Sequence, residues 1–186
     1  MKDLSVLPEG LPIPIDDGAC NHLVGFQLPS MQLSSSSGRL INLATEVGVT
    51  VVYFYPLIGH PDAPPMIGWN DIPGARGCTP QSCAFRDLNS EFSNMGVQVF
   101  GASSQPLDAQ QEAVSRLHLP FELLNDSSLG FAAALALPTF EYNGLELIKR
   151  LTLIVENGVV IKVFYPVFPP NQNASHVMDW LKSRFK

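Results

Sequence analysis

Apolar residues along this chain alternate between short β-branched runs and longer stretches with helical spacing. The run Val49-Thr50-Val51-Val52-Tyr53-Phe54-Tyr55 is almost continuously apolar and stops at Pro56. A strand buried on both faces of a sheet reads this way. Further strands are expected over Val97–Ala102 and Phe121–Leu124. Leu147–Val155 and Val159–Tyr165 flank Glu156-Asn157-Gly158, and Asn-Gly is the strongest short hairpin signal. A helix is expected over Thr79–Met95, with Pro80 suited to its first turn and Gly96 to its end. Leu107–Leu117, the alanine-rich Ser128–Leu137 and Asn171–Phe185 follow as helices. Upstream, His22–Leu33 alternates as a strand, Ser34–Gly38 forms a turn, and Asn42–Thr45 fits a short helical turn.

The order is therefore β-α-β-α-β-α, then a hairpin and a final helix. That is the plan of an α/β, thioredoxin-like domain: a central mixed sheet flanked by helices, here with an N-terminal extension. Residues 1–20, rich in proline and acid, read as an extended arm on the surface of a single domain spanning 1–186. Residues 56–77 form a long loop crowded with proline and glycine, and loops of this length are usually functional or disordered. Trp69 in that loop reads most simply as an aromatic anchor. No internal repeat is present.

Composition narrows the function. With 186 residues the chain suits one core, and 46% hydrophobic against 15% charged residues is a globular balance. A formal charge of −6 argues against nucleic acid as partner. No apolar run approaches a membrane span, and Pro8, Pro12 and Pro14 interrupt any secretory h-region, so a cytoplasmic address is expected. Three cysteines in a reducing compartment are better read as reactive thiols than as a disulfide framework.

Two of them, Cys78 and Cys83, lie five residues apart in Gly77-Cys78-Thr79-Pro80-Gln81-Ser82-Cys83, directly after the long loop. Cys78 falls at a helix N-terminus, where free N–H groups and the helix dipole favour thiolate over thiol. Cys83 follows one and a half turns later. Such a pair suggests one cysteine that attacks and one that rescues it, which points to a redox enzyme. The spacing does not suit zinc and no second ligand pair exists, so no metal is expected. Cys20 has no partner spacing and reads as a bystander, and His22, His60, His118 and His176 are scattered.

Several segments together resemble the Q-type peroxiredoxins, also called bacterioferritin comigratory proteins, of the redoxin family. They are Val51-Val52-Tyr53-Phe54-Tyr55-Pro56, then Gly77-Cys78 through Cys83 with Arg86-Asp87, then Lys149-Arg150-Leu151-Thr152-Leu153-Ile154-Val155 before Asn157-Gly158. The resemblance runs from about His22 to Lys186. It implies that Cys78 attacks the peroxide O–O bond and becomes a sulfenic acid, that Cys83 resolves it as a disulfide, and that Arg150, on the later strand, holds the thiolate and peroxide oxygens. Gln81 stands three residues past Cys78, where the family places Glu or Gln. It further implies no metal, haem or flavin, a hydrogen peroxide or small alkyl hydroperoxide substrate, a thioredoxin- or glutaredoxin-like reductant, and a monomer or homodimer.

The chain departs from the family motif P-x-x-x-T-x-x-C, because Ala75 stands where the Thr belongs and Asp71 where the Pro belongs. Three readings stay open: a hydroxyl from elsewhere (Thr79 is nearest), backbone groups in its place, or weak peroxidase activity. The rival reading is a non-catalytic or weakly active redox sensor or interaction domain using the same disulfide.

Overall fold

The computed structural model describes residues 4, 6–64 and 66–185. Residues 1–3 and 5 of the expected arm, and Pro65 of the long loop, lie outside the described residues. The centre is a seven-stranded mixed sheet in the order β2-β1-β5-β4-β3-β8-β9. Its strands are β1 Leu33–Ser35, β2 Leu40–Ile41, β3 Val49–Phe54, β4 Val97–Ser103, β5 Leu123–Asn125, β8 Leu151–Glu156 and β9 Val159–Phe164. β3 pairs parallel with β4 and antiparallel with β8, in register Val51↔Val99 and Val51↔Ile154.

All six residues of β3 are buried, for the reason their pattern gives. Val51 and Tyr53 point into one core with Phe85, Phe92, Val177 and Leu181, while Val52 and Phe54 point into another with Leu23, Phe100 and Phe131. The helices α1 Cys78–Asp87, α2 Asn89–Asn94, α3 Leu107–Leu117 and α5 Asn173–Arg184 cover the first face, and the short α4 Gly130–Ala134 covers the second with the N-terminal segment. No helix among the described residues is long and apolar enough to cross a membrane.

Several expected boundaries change. The strand expected over His22–Leu33 is reduced to an isolated bridge between Gln27 and Val159, and β1 begins only at Leu33. Its partner β2 follows a turn after Ser35. The helix expected over Thr79–Met95 begins at Cys78 and breaks at Leu88, whose φ of −100° and ψ of 6° leave the helical region. Asp87 and Asn89 flank the break, and such side chains compete with the helical ladder. The alanine-rich helix shrinks to five residues.

The single strand expected over Leu147–Val155 divides. Leu145–Ile148 (β7) pairs with Thr139–Tyr142 (β6) in a separate two-stranded sheet, and β8 starts at Leu151. The turn of this extra hairpin is Asn143-Gly144, both with positive φ, the same chemistry as Asn157-Gly158. The hairpin supports the long loop. Trp69, in a 3-10 turn over Trp69–Asp71 and only 3% exposed, packs with ring centroids 6.1 Å from Phe140 and 4.9 Å from Tyr142. Trp69 is thus an anchor for the loop that delivers Cys78.

Candidate active site

The site forms where β3 ends, the long loop returns and α1 begins. Gly77 precedes the helix with φ 111° and ψ 20°, and no side chain caps it. Only glycine fits there, because a Cβ would stand 2.3 Å from Pro170 Cγ and 2.8 Å from Leu7 Cδ2. Cys78 therefore opens α1 beneath the N-terminal arm on one side and the 3-10 turn Pro170–Gln172 on the other. Tyr53 on β3 stacks on Phe85 of α1 at 4.5 Å, and its hydroxyl donates to Ser82 Oγ at 3.0 Å. These contacts fix the helix over the sheet.

Arg150 comes from the opposite direction. It lies in the two-residue link between β7 and β8, one residue before β8 rather than inside the expected strand. Its side chain is buried at 3% exposure, and every nitrogen is directed. Nε donates to the Gly74 carbonyl at 3.1 Å, Nη1 to Gln81 Oε1, and Nη2 both to the Ala75 carbonyl at 2.9 Å and to Cys78 Sγ at 3.1 Å. The Cys78 thiol has the Ala75 carbonyl 3.6 Å away as its own acceptor. The sulfur position thus serves both forms: a thiol donates to Ala75, and a thiolate accepts from Arg150.

Three of the four expected residues, Cys78, Arg150 and Gln81, converge. Cys83 does not join them. Both cysteines are free and both lie on the continuous helix α1, which separates their Cα atoms by about 8.6 Å. Cys83 is half-buried, and burial pushes its thiol above the usual range against the opposing pull of Arg86. Cys20 is buried, and desolvation followed by the charge of Asp17 pushes its thiol up to about 12, which fits a bystander.

Ala75, at the motif Thr position, brings no hydroxyl, and its carbonyl takes the contacts with Arg150 and Cys78. Two polar residues to which the sequence assigned no role also belong here. Asn173, the first residue of α5, accepts from Gln81 Nε2 at 2.9 Å and from Thr152 Oγ1 at 2.7 Å. Thr152 lay inside a quoted strand, but only its contact with Asn173 distinguishes it. No cluster of His, Cys, Asp and Glu suited to a metal occurs among the described residues.

The N-terminal arm closes one flank. Asp17 accepts from Lys149 Nζ at 3.0 Å and from the Tyr165 hydroxyl at 2.9 Å, which holds its carboxyl down at about 2. Beside this clasp, Ile13, Ile15, Ile72, Phe140 and Val167 line a cavity of about 310 Å³ that Arg150 also borders.

The redoxin family model matches residues 23–179. The chloroplastic peroxiredoxin Q of Sedum lineare is 30% identical over 161 residues, covering 86% of this chain and 77% of that protein. The chloroplastic peroxiredoxin Q of Oryza sativa subsp. japonica is also 30% identical over 161 residues, and the match spans 66% of its length, just under two thirds. Among solved structures, the peroxidoxin BcpB of Mycobacterium tuberculosis superposes with TM-score 0.70 at 23% identity, covering 86% of this chain and 96% of that one. The bacterioferritin comigratory protein of Xanthomonas campestris gives 0.68 at 21% identity over 94% of this chain and 98% of that one. The thioredoxin-like α/β architecture is common to them, and by its family model and its peroxiredoxin Q relatives the chain belongs to the redoxin family, among the Q-type peroxiredoxins.

Proposed function

We propose that the protein is a thiol-dependent peroxidase. The Cys78 thiolate attacks the nearer oxygen of a hydroperoxide, the O–O bond breaks, and the distal oxygen leaves as water or an alcohol after protonation. Cys78 is left as a sulfenic acid. The Cys83 thiol then displaces its hydroxyl as water and forms the Cys78–Cys83 disulfide. A thioredoxin- or glutaredoxin-like dithiol takes over that disulfide and returns both cysteines to thiols. The observation that carries this reading is the buried Arg150 guanidinium aimed at Cys78 Sγ, with only neutral oxygens as its other partners. A cation placed so stabilises both the thiolate and the charge that develops as the O–O bond breaks.

The apolar cavity beside Arg150 supports hydroperoxides with a small organic substituent alongside hydrogen peroxide. Alkyl peroxide reduction is named for the Xanthomonas protein, which agrees with that substrate class. Three free thiols fit a reducing, cytoplasmic compartment, in which the protein works as a monomer or homodimer.

Ala75 favours a second reading. With no hydroxyl where the motif carries one, the same disulfide would serve a redox sensor with little turnover. Steady-state consumption of hydrogen peroxide and cumene hydroperoxide, coupled to a dithiol donor, separates the two. Cys78→Ser is expected to abolish consumption, and Cys83→Ser to complete one oxidation that leaves a trappable sulfenic acid. One stoichiometric oxidation without turnover in the wild type leaves the sensor. Reversed behaviour of the two serine variants overturns the assigned roles.

A further inference from the structure

Four buried polar side chains form a continuous relay behind the sulfur. Thr152 and Gln81 are fully buried, Asn173 is 1% exposed and Arg150 3%. The polarity of the whole relay follows from one end. A guanidinium only donates, so Gln81 must turn its carbonyl oxygen to Arg150 and its NH₂ to Asn173. Asn173 must then present its oxygen, and Thr152 must donate to the same atom. Asn173 Oδ1 is thereby held by two donors and fixes the rotamer of Gln81.

The relay also joins three elements: α1 through Gln81, α5 through Asn173, and β8 with the link before it through Thr152 and Arg150. Apolar contacts of Phe85 already hold α1 to the sheet, so these polar groups do a different job. They lock its first turn. Gln81 sits between Cys78 and Cys83, and the roughly 8.6 Å between their Cα atoms exceeds the ~7 Å that a disulfide spans without backbone movement. The segment that must unwind for the disulfide is the segment the relay holds.

We propose that Asn173 is a positioning residue with opposite effects on the two halves of the cycle. Through Gln81 it steadies Arg150 against the Cys78 sulfur and speeds the first oxidation. Its bond to Gln81 must then break before Cys83 reaches the sulfenic acid, so it slows disulfide formation. While the relay holds, a second hydroperoxide molecule has time to oxidise the sulfenic acid to sulfinic acid, itself becoming the alcohol or water. This inference rests on the peroxidase reading above.

The test is a rapid-quench single turnover with one equivalent of hydrogen peroxide, with Cys78 sulfenic acid and the disulfide followed by mass spectrometry. Asn173→Leu is expected to slow Cys78 oxidation by about tenfold, through loss of the buried oriented hydrogen bond that Gln81 donates, and to speed disulfide formation severalfold. Asn173→Asp keeps an acceptor for both donors and is expected to restore both rates. Val177→Ala, a fully buried change one turn along the same helix at a residue that makes none of the relay's hydrogen bonds, serves as a control for lost stability and is expected to move neither rate. Equal slowing of both steps in Asn173→Leu, no change in either, or the same opposite-signed pattern in Val177→Ala overturns the proposal. A wild-type protein that forms no Cys78 sulfenic acid would instead overturn the peroxidase reading, and this inference with it.

Discussion

Arg150 Nη2 lies 3.1 Å from Cys78 Sγ, and no carboxylate shares the guanidinium in any ion pair among the described residues. The remaining partners, the Gly74 and Ala75 carbonyls and Gln81 Oε1, are neutral. A buried charge without a counter-ion is costly, on the order of several kcal/mol. In the proposed reaction the sulfur of Cys78 would supply that counter-charge to the guanidinium beside it.

Removing the cation is expected to cost activity far more than stability. Arg150→Met should lower the rate constant for peroxide by roughly a hundredfold or more, the usual loss when a donor to developing charge is deleted. Arg150→Lys should also fail substantially, because an ammonium cannot reach two carbonyls, an amide and a sulfur from one planar fork. Peroxide consumption at fixed pH checks both, and an unchanged rate in Arg150→Met removes the guanidinium from the reaction.

Disulfide formation should unwind the start of α1. Both thiols are free on one continuous helix, and Pro80 contributes no N–H to the ladder that has to break. Hydrogen exchange is expected to show residues 78 to 86 protected in the reduced protein and exposed in the oxidised one. Equal protection with the disulfide confirmed by mass would exclude this route.

The arm clasp should persist across the physiological pH range. Lys149 first, then the Ala19 N–H and Tyr165, lower the Asp17 carboxyl to about 2. A depressed folded value means the contribution is complete above the unfolded value, about 3.9, and disappears as pH falls through the folded one. At neutral pH, Asp17→Asn is expected to raise KM for cumene hydroperoxide severalfold and to leave hydrogen peroxide unaffected, if the cavity takes the organic substituent as proposed. Parallel changes for both peroxides would detach the cavity from substrate choice.

Cys20 should contribute to alkaline sensitivity. Above about 8.5 an unfolded chain releases this proton, whereas burial retains it in the folded protein until about 12. The unfolded state then binds fewer protons, so stability falls as pH rises through that window. Urea unfolding midpoints from pH 8 to 11 are expected to decline less steeply in Cys20→Ala than in the wild type. In the native protein at pH 8, Cys20 should resist alkylation by roughly a thousandfold relative to an exposed thiol. Identical slopes and ready labelling would contradict its burial.

The pattern of the chain alone located β3, whose apolarity reflects burial on both faces, and bounded α3 at Leu107–Leu117. It also put Cys78 at a helix start after a loop and, through the family resemblance, pointed to Arg150 and Gln81. Such features are local, or are carried by short motifs whose residue types the chemistry demands. The Asn143-Gly144 hairpin was not among the expected elements, although its turn signal matches that of Asn157-Gly158. Tertiary structure alone decided the rest. The helix expected to run on to Met95 breaks at Leu88 between Asp87 and Asn89, yet Phe85 on α1 and Phe92 on α2 still pack in one core, a placement that only the fold shows. Asn173 carries no motif and lies 92 residues from Gln81, so nothing near it in sequence marks it as part of the site. It matters because a buried amide needs partners, and only the packing of α5 against α1 and β8 determines which polar groups are close enough to provide them.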